Sequence, residues 1–241
     1  MTGPELRMSV IQVPFNERVE QLGVELFWTE IGELPPEEIE RIRGMMSRRE
    51  RARSERFRHE PSRRCHLVTR RLVRNTLSRF GPCRPDQWRF ETTQKGRPSI
   101  ANAAPGIERL DFNVAHSDRR VVMAVVDDGR RVGVDIEPRD RDVDHDLVAR
   151  RFFHESEQRA IDELDDACRR QRFLQLWVLK EAWLKADGRG VAAGLDRVIF
   201  EFDESGRPEL VASPAGTVAE WSFVLGTVDD HVAAVGILEH Q

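Results

Sequence analysis

The 241-residue chain has no apolar run near the roughly 18 residues that a membrane-spanning helix needs, which excludes a helical span. Its N-terminus lacks the basic-then-apolar pattern of a secretory signal, so a cytoplasmic location is expected. Cys65, Cys83 and Cys168 are odd in number and show no metal-ligand spacing. That argues against a disulfide framework or a zinc site and for reduced thiols. Neither sign of charge dominates: 38 Lys and Arg stand against 42 Asp and Glu, a net charge of −4. No global attraction to nucleic acid or membrane follows. Tyrosine is absent altogether, and nothing about fold or site follows from that. What remains, 39% hydrophobic and 33% charged residues, suits a water-soluble enzyme of one large domain or two small ones.

The charge is unevenly spread. Residues 41–74 hold thirteen arginines against three glutamates. Most of residues 36–80 reads as helical, with a break near Pro61. Such a face can cradle phosphates, dock an acidic partner protein, or simply be solvated. A nucleic-acid module is a further reading, but residues 41–74 lack aromatic interleaving, Phe57 being alone among Phe, Trp and Tyr there, and no groove-reading motif is evident.

Two acidic segments carry more chemistry. Val132–Ile136 is apolar apart from Gly133 and Asp135 and runs into Pro138, the pattern of a short buried strand. On a strand Asp135 and Glu137 share a face, and paired carboxylates on a core-like strand call for a cation. A strand ending at the surface, with both acids solvated or paired to arginine, is the alternative. Phe173, Leu174, Leu176, Trp177, Leu179, Trp183 and Leu184 form a wide helical stripe, and Gly188 is a fitting stop. Glu181 and Lys185, four residues apart on that helix, project side by side, as a surface ion pair or as the polar edge of a cleft. Leu110–Val126 reads as strand, polar turn and strand, with His116 and Ser117 at the rim. A rim His and Ser can donate to a phosphate oxygen, or Ser117 or Asp118 can serve the local turn.

Together, Lys95-Gly96-Arg97-Pro98, Phe112-Asn113-Val114-Ala115-His116-Ser117, Gly133-Val134-Asp135-Ile136-Glu137, and Trp177 with Lys180-Glu181-Ala182 and Lys185-Ala186 resemble the Sfp-type 4′-phosphopantetheinyl transferases, in order and in approximate spacing. The resemblance covers roughly residues 20–240. It implies transfer of the phosphopantetheine arm of coenzyme A to a serine of an apo acyl or peptidyl carrier protein, releasing adenosine 3′,5′-bisphosphate. By position it implies Asp135, Glu137 and Glu181 as Mg²⁺ ligands. Arg53, Lys95, Arg97, His116, Ser117 and Lys185 would be coenzyme A contacts, and Glu181 and Lys185 the catalytic pair. Glu157 is a second candidate base, but a first-turn helix acid favoured by the helix dipole is the preferred reading of it. Ala115 departs from the family pattern where a serine is usual. Glu50 departs where a base is expected, with Arg63 or Arg64 as substitutes. Another Mg²⁺-dependent phosphoryl-transfer enzyme and a binding module without catalysis are the alternatives.

The chain also echoes itself. The strand–turn–strand of 112–126 is matched by 221–238, and each follows a long helical region, at 36–80 and 145–187. An α+β fold is expected, with two similar halves, 1–128 and 129–241, in a pseudo-twofold arrangement. The resemblance implies coenzyme A in the cleft between them. A pseudo-dimer within one chain is expected to be a monomer.

Overall fold

The computed structural model describes residues 15–117, 119–190, 194–215 and 217–239. The N-terminal stretch on which the signal-peptide expectation rests, and Asp118, lie outside these. The chain is α+β, and its two halves use one plan. In the first half, helix α1 (Phe15–Gln21) leads into strand β1 (Glu25–Glu30) and helices α2 (Pro36–Met45), α3 (Arg48–Arg56) and α4 (Glu60–Leu77). A small hairpin, β2 (Phe90–Thr92) and β3 (Pro98–Ile100), and a larger one, β4 (Asp111–His116) and β5 (Arg120–Val126), complete it. The second half has β6 (Arg131–Pro138), helices α5 (His145–Phe152), α6 (Glu155–Asp162) and α7 (Asp166–Asp187), small hairpin β7 (Ile199–Phe202) and β8 (Pro208–Ala212), and large hairpin β9 (Trp221–Val228) and β10 (His231–Leu238).

The antiparallel sheets repeat the correspondence, ordered β1-β5-β4 and β6-β10-β9. The central strands β5 and β10 are buried almost throughout because both of their faces are covered. Alternation then divides the cores. Val122, Ala124 and Val126 meet Val132, Val134, Ile136, Ala233, Val235 and Ile237 in a core shared by the two halves. Met123 and Val125 turn to Val73 and Leu77 of α4. Val232, Ala234 and Leu238 turn to α7. The halves are therefore two sheets around a common interior, with helices outside.

The helical stretch 36–80 is three helices, and its breaks precede Pro61, which sits within the first turn of α4. The break at Ser47 has a clear local cause. Ser47 caps α3 and Glu50 closes a capping box, with the Ser47 N–H donating to Glu50 Oε2 at 2.8 Å. Glu50, the expected departure among basic contacts, is a half-buried counter-ion. Its carboxylate pairs with Arg74 at 2.5 Å and Arg70 at 3.4 Å. Burial alone would raise its pKa; the Ser47 N–H and Arg74 more than cancel this and hold it low. Arg63 and Arg64 pair with Glu60 and Glu33, at 2.8 and 3.5 Å.

His66 sits under α3, its ring against Phe57 and Nε2 3.3 Å from the Glu50 carbonyl. Burial, then the charges of Arg70 and Arg53, lower its pKa from 6.5 to about 4. The unfolded chain therefore binds an extra proton between these values, so stability is full above pH 6.5 and falls as pH drops toward 4. His66→Gln should flatten that part of the stability–pH curve. Denaturant melts at both ends of the window check this; an unchanged slope would refute it.

Candidate active site

The expected motifs converge at the meeting of the halves. Gly133, Asp135 and Glu137 lie on the face of β6 that looks at α7. Gly133 is glycine because α7 comes too close for anything larger. A Cβ there would stand 2.0 Å from the Ala182 carbonyl oxygen and 2.5 Å from the Ala186 nitrogen, both backbone atoms that cannot swing aside. Gly133→Ala should push α7 off the sheet and cost about 1–3 kcal/mol or more, as overpacking does. A melting temperature within error of the parent would sink this reading. The contact matters because Ala182 and Ala186 share their turns of α7 with Glu181 and Lys185. Asp165 caps the start of α7 and Gly188, left-handed at φ 76°, closes its end.

Lys185 Nζ donates to Asp135 Oδ1 at 2.6 Å. The other oxygen of Asp135 is buried without a hydrogen-bond partner. Burial and the charge of Asp135 push Glu137 up to about 7, against Arg141, Trp177 and Lys185. The same two causes raise Glu181, opposed by Lys185 and Arg141. Arg141 is a member that sequence reasoning missed. It pairs with Glu137 and stacks over the Trp177 ring, 5.1 Å from its centroid. Its spacing from Glu137, one helical turn but in a loop, carries no sequence signal. His116 ends β4 with part of its surface open to solvent; partial desolvation by the protein around its ring, then the charge of Lys185, lower its pKa, while Asp135 works against them. Lys95 is exposed in the β2–β3 turn, its Cβ 3.8 Å from where a Cβ on Gly190 would stand, just beyond α7.

Three expected contacts take other parts. Arg97 is buried and spent: Nη1 and Nη2 donate to Asp111 at 2.9 and 2.6 Å, Nε to the Lys185 carbonyl at 2.9 Å, and Nη2 to the Val132 carbonyl at 3.0 Å. It ties the halves together rather than facing a ligand. Ser117 turns inward, its Oγ 2.9 Å from His231 Nε2. Arg53 lies on the exposed face of α3, its charge acting on His66 and Arg70. Glu157, the second candidate base, closes the cap of α6, accepts from the Phe200 N–H at 3.0 Å and pairs with buried Lys180 at 2.7 Å. It stands in the first turn of α6, where the helix dipole favours an acid, and it is bound up in the structure there. Ala115 is packed into the shared core.

The donor chemistry suits a hard divalent cation: oxygen ligands only, one of them an unpartnered buried carboxylate oxygen, beside Glu137 and Glu181, both raised by burial and then by the charge of Asp135. Among the described residues no three His, Cys, Asp or Glu side chains converge on one point. Asp135, Glu137 and Glu181 are neighbours, with Lys185 and Arg141 each holding one of them.

Carboxylates of β6 and α7 with Lys185 and Arg141, beside His116 from the first half, make a charged cluster at the seam of the two halves. The comparisons with known proteins make the class specific. Residues 131–236 match the model of the 4′-phosphopantetheinyl transferase superfamily, and residues 35–127 that of the 4′-phosphopantetheinyl transferase N-terminal region. A putative 4′-phosphopantetheinyl transferase of Synechocystis is 33% identical over 64% of this chain and 62% of its own length. The 4′-phosphopantetheinyl transferases psf-1 of Bacillus pumilus and Sfp of Bacillus subtilis are 33% and 30% identical, over 72% of this chain and 71% and 74% of theirs. The chain belongs to the 4′-phosphopantetheinyl transferase family, and it is a transferase.

Proposed function

We propose that the chain moves the 4′-phosphopantetheine arm of coenzyme A onto a serine of an apo acyl or peptidyl carrier protein. The observation that carries the reading is that the Lys185–Asp135 pair, from the second half, stands near enough to His116, from the first, for both of its charges to act on that ring. Lys95 lies at the same seam. A substrate at that seam finds His116 and Lys95 from the first half, and carboxylates with Lys185 and Arg141 from the second. Phosphoryl transfer needs alignment and charge neutralisation more than covalent help, which matches a site with no evident nucleophile.

Asp135, Glu137 and Glu181 would hold Mg²⁺, which when bound neutralises the pyrophosphate oxygens. The remaining steps fall to side chains. His116 and Lys95 bind phosphate. Glu181, the carboxylate next to Lys185, takes the proton of the carrier serine, directly or through water. The serine oxygen forms a bond to the β-phosphorus of coenzyme A. The bond from that phosphorus to the bridging oxygen breaks, and adenosine 3′,5′-bisphosphate leaves. Lys185 stabilises the charge that develops. Arg48, Arg49, Arg51, Arg53 and Arg56 on the exposed face of α3 form a basic surface suited to an acidic carrier. Nucleic acid is not among the proposed partners, since Arg63, Arg64, Arg70, Arg71 and Arg74 are paired with carboxylates. No helix among the described residues is long and apolar enough to cross a membrane. The internal duplication supports a monomer.

Intact-protein mass spectrometry tests the reading directly. The protein, coenzyme A, Mg²⁺ and a panel of apo-carrier proteins should give a carrier heavier by one phosphopantetheine arm. No gain on any carrier, together with no Mg²⁺-dependent binding of coenzyme A, would refute it. His116→Ala should weaken coenzyme A binding more than it slows transfer at saturation, by about tenfold for one charge-assisted contact. Titration calorimetry checks this, and an unchanged affinity counts against the phosphate role.

A further inference from the structure

The two halves also meet at the tips of their large hairpins, and this contact is built from charge and hydrogen bonds. Ser117, at the end of β4, lies 2.9 Å from His231 Nε2, at the start of β10. His231 Nδ1 is 2.7 Å from Asp230 Oδ1. Arg119 pairs with the second oxygen of Asp230 at 3.0 Å, and Arg120 with Asp229 at 2.8 Å. His231 is wholly buried and Ser117 only 9% exposed, so little water competes for this bond.

The proton placement follows from the partners. An ionised Asp230 accepts from Nδ1–H, and the other ring nitrogen, Nε2, is bonded to the Ser117 hydroxyl. The order Ser–His–Asp is that of a nucleophilic triad. Here the hydroxyl faces the protein interior and the backbone N–H of Ser117 is already bonded to the Arg120 carbonyl at 2.9 Å, so it offers no donor to an incoming acyl group. The chain is a clasp rather than a second catalytic centre.

What it clasps is the residue next to His116. Asp135 and Glu137 stand on β6, which pairs along its length with β10, the strand that His231 begins. The clasp therefore links the strand carrying His116 to the sheet carrying the carboxylates. We propose that His231 is a positioning residue. By holding Ser117 across the seam it fixes where His116 stands relative to Asp135, and so sets the affinity for the substrate phosphate. This rests on the reading of the seam as a coenzyme A site.

The test is calorimetric titration of coenzyme A with Mg²⁺ into the parent protein, Ser117→Ala, His231→Ala and His231→Gln, each checked by thermal melting. Ser117→Ala and His231→Ala should weaken binding about three- to tenfold, as loss of one buried hydrogen bond does. KM for coenzyme A should rise with it and kcat stay closer to the parent value. His231→Gln, which can accept from Ser117 and donate to Asp230, should recover most of the affinity. Adding Ser117→Ala to His116→Ala should do no further harm, because the clasp acts through His116. Unchanged affinity in Ser117→Ala, or full additivity with His116→Ala, would overturn the clasp. Should His231→Ala fail to fold, Ser117→Ala, which removes only a hydroxyl, carries the test. A parent protein that does not bind coenzyme A would overturn the reading of the seam, and the clasp with it.

Discussion

Asp135→Ala should abolish measurable transfer while leaving the melting temperature near that of the parent. Loss of a residue that merely supports a metal ligand typically costs 10–100-fold, so loss of a ligand itself should cost more than about 100-fold. Stability should hold for a separate reason. The Asp135 carboxylate is 6% exposed, one of its oxygens has no partner, and it raises both Glu137 and Glu181. Its removal relieves that crowding. It leaves Lys185 without its carboxylate, but that side chain is 27% exposed and can turn to water. A steady-state rate with coenzyme A and a carrier protein, beside a thermal melt, decides the matter. Near-parental rates would remove Asp135 from the site, and a collapse of the melt would make its role structural.

Arg97→Met should be the reverse case, a large loss of stability from a residue the family pattern would place at the ligand. The Arg97 side chain is 7% exposed, and its removal strands Asp111 at 20% exposure beside three carbonyls that lose a donor. Removing one member of a buried pair costs about 3–5 kcal/mol, which for a protein of this size is a fall of roughly 10 °C in melting temperature. Replacing Asp111 as well, by leucine, should recover part of the loss because the stranded charge goes with it. A variant that melts like the parent but binds coenzyme A poorly would return Arg97 to the ligand.

The comparison of Asp135 with Arg97 marks what could be seen in the sequence. Strand and helix periodicity placed Asp135 and Glu137 on one face of β6 and Glu181 beside Lys185 on α7, because those periods are local properties. The two large hairpins and the stop at Gly188 were legible for the same reason. The parts of Arg97, Ser117 and Glu50 were not. Each is set by a partner far along the chain: Asp111 with the Lys185 carbonyl, His231, and Arg74. A motif match reports that a residue type recurs, and it is silent on which way the side chain turns. Arg141 lay in a loop with no periodicity to mark it. The small hairpins β2–β3 and β7–β8 were too short, at three to five residues a strand, to stand out.

The seam between the sheets has a consequence for the isolated halves. The β6 N–H groups that point away from β10 are met by side chains of β4: Val132 donates to Asp111 Oδ2 at 2.9 Å and Val134 to Asn113 Oδ1 at 3.1 Å. A carboxylate and an amide thus stand where a neighbouring strand's carbonyls would, and they blunt an open edge. Cut in the 127–130 loop, the second half would bare that edge together with Val132, Val134 and Ile136, an invitation to strand-by-strand self-association. It should precipitate when made alone and stay dispersed when the first half is co-expressed, as a split protein whose pieces chaperone each other.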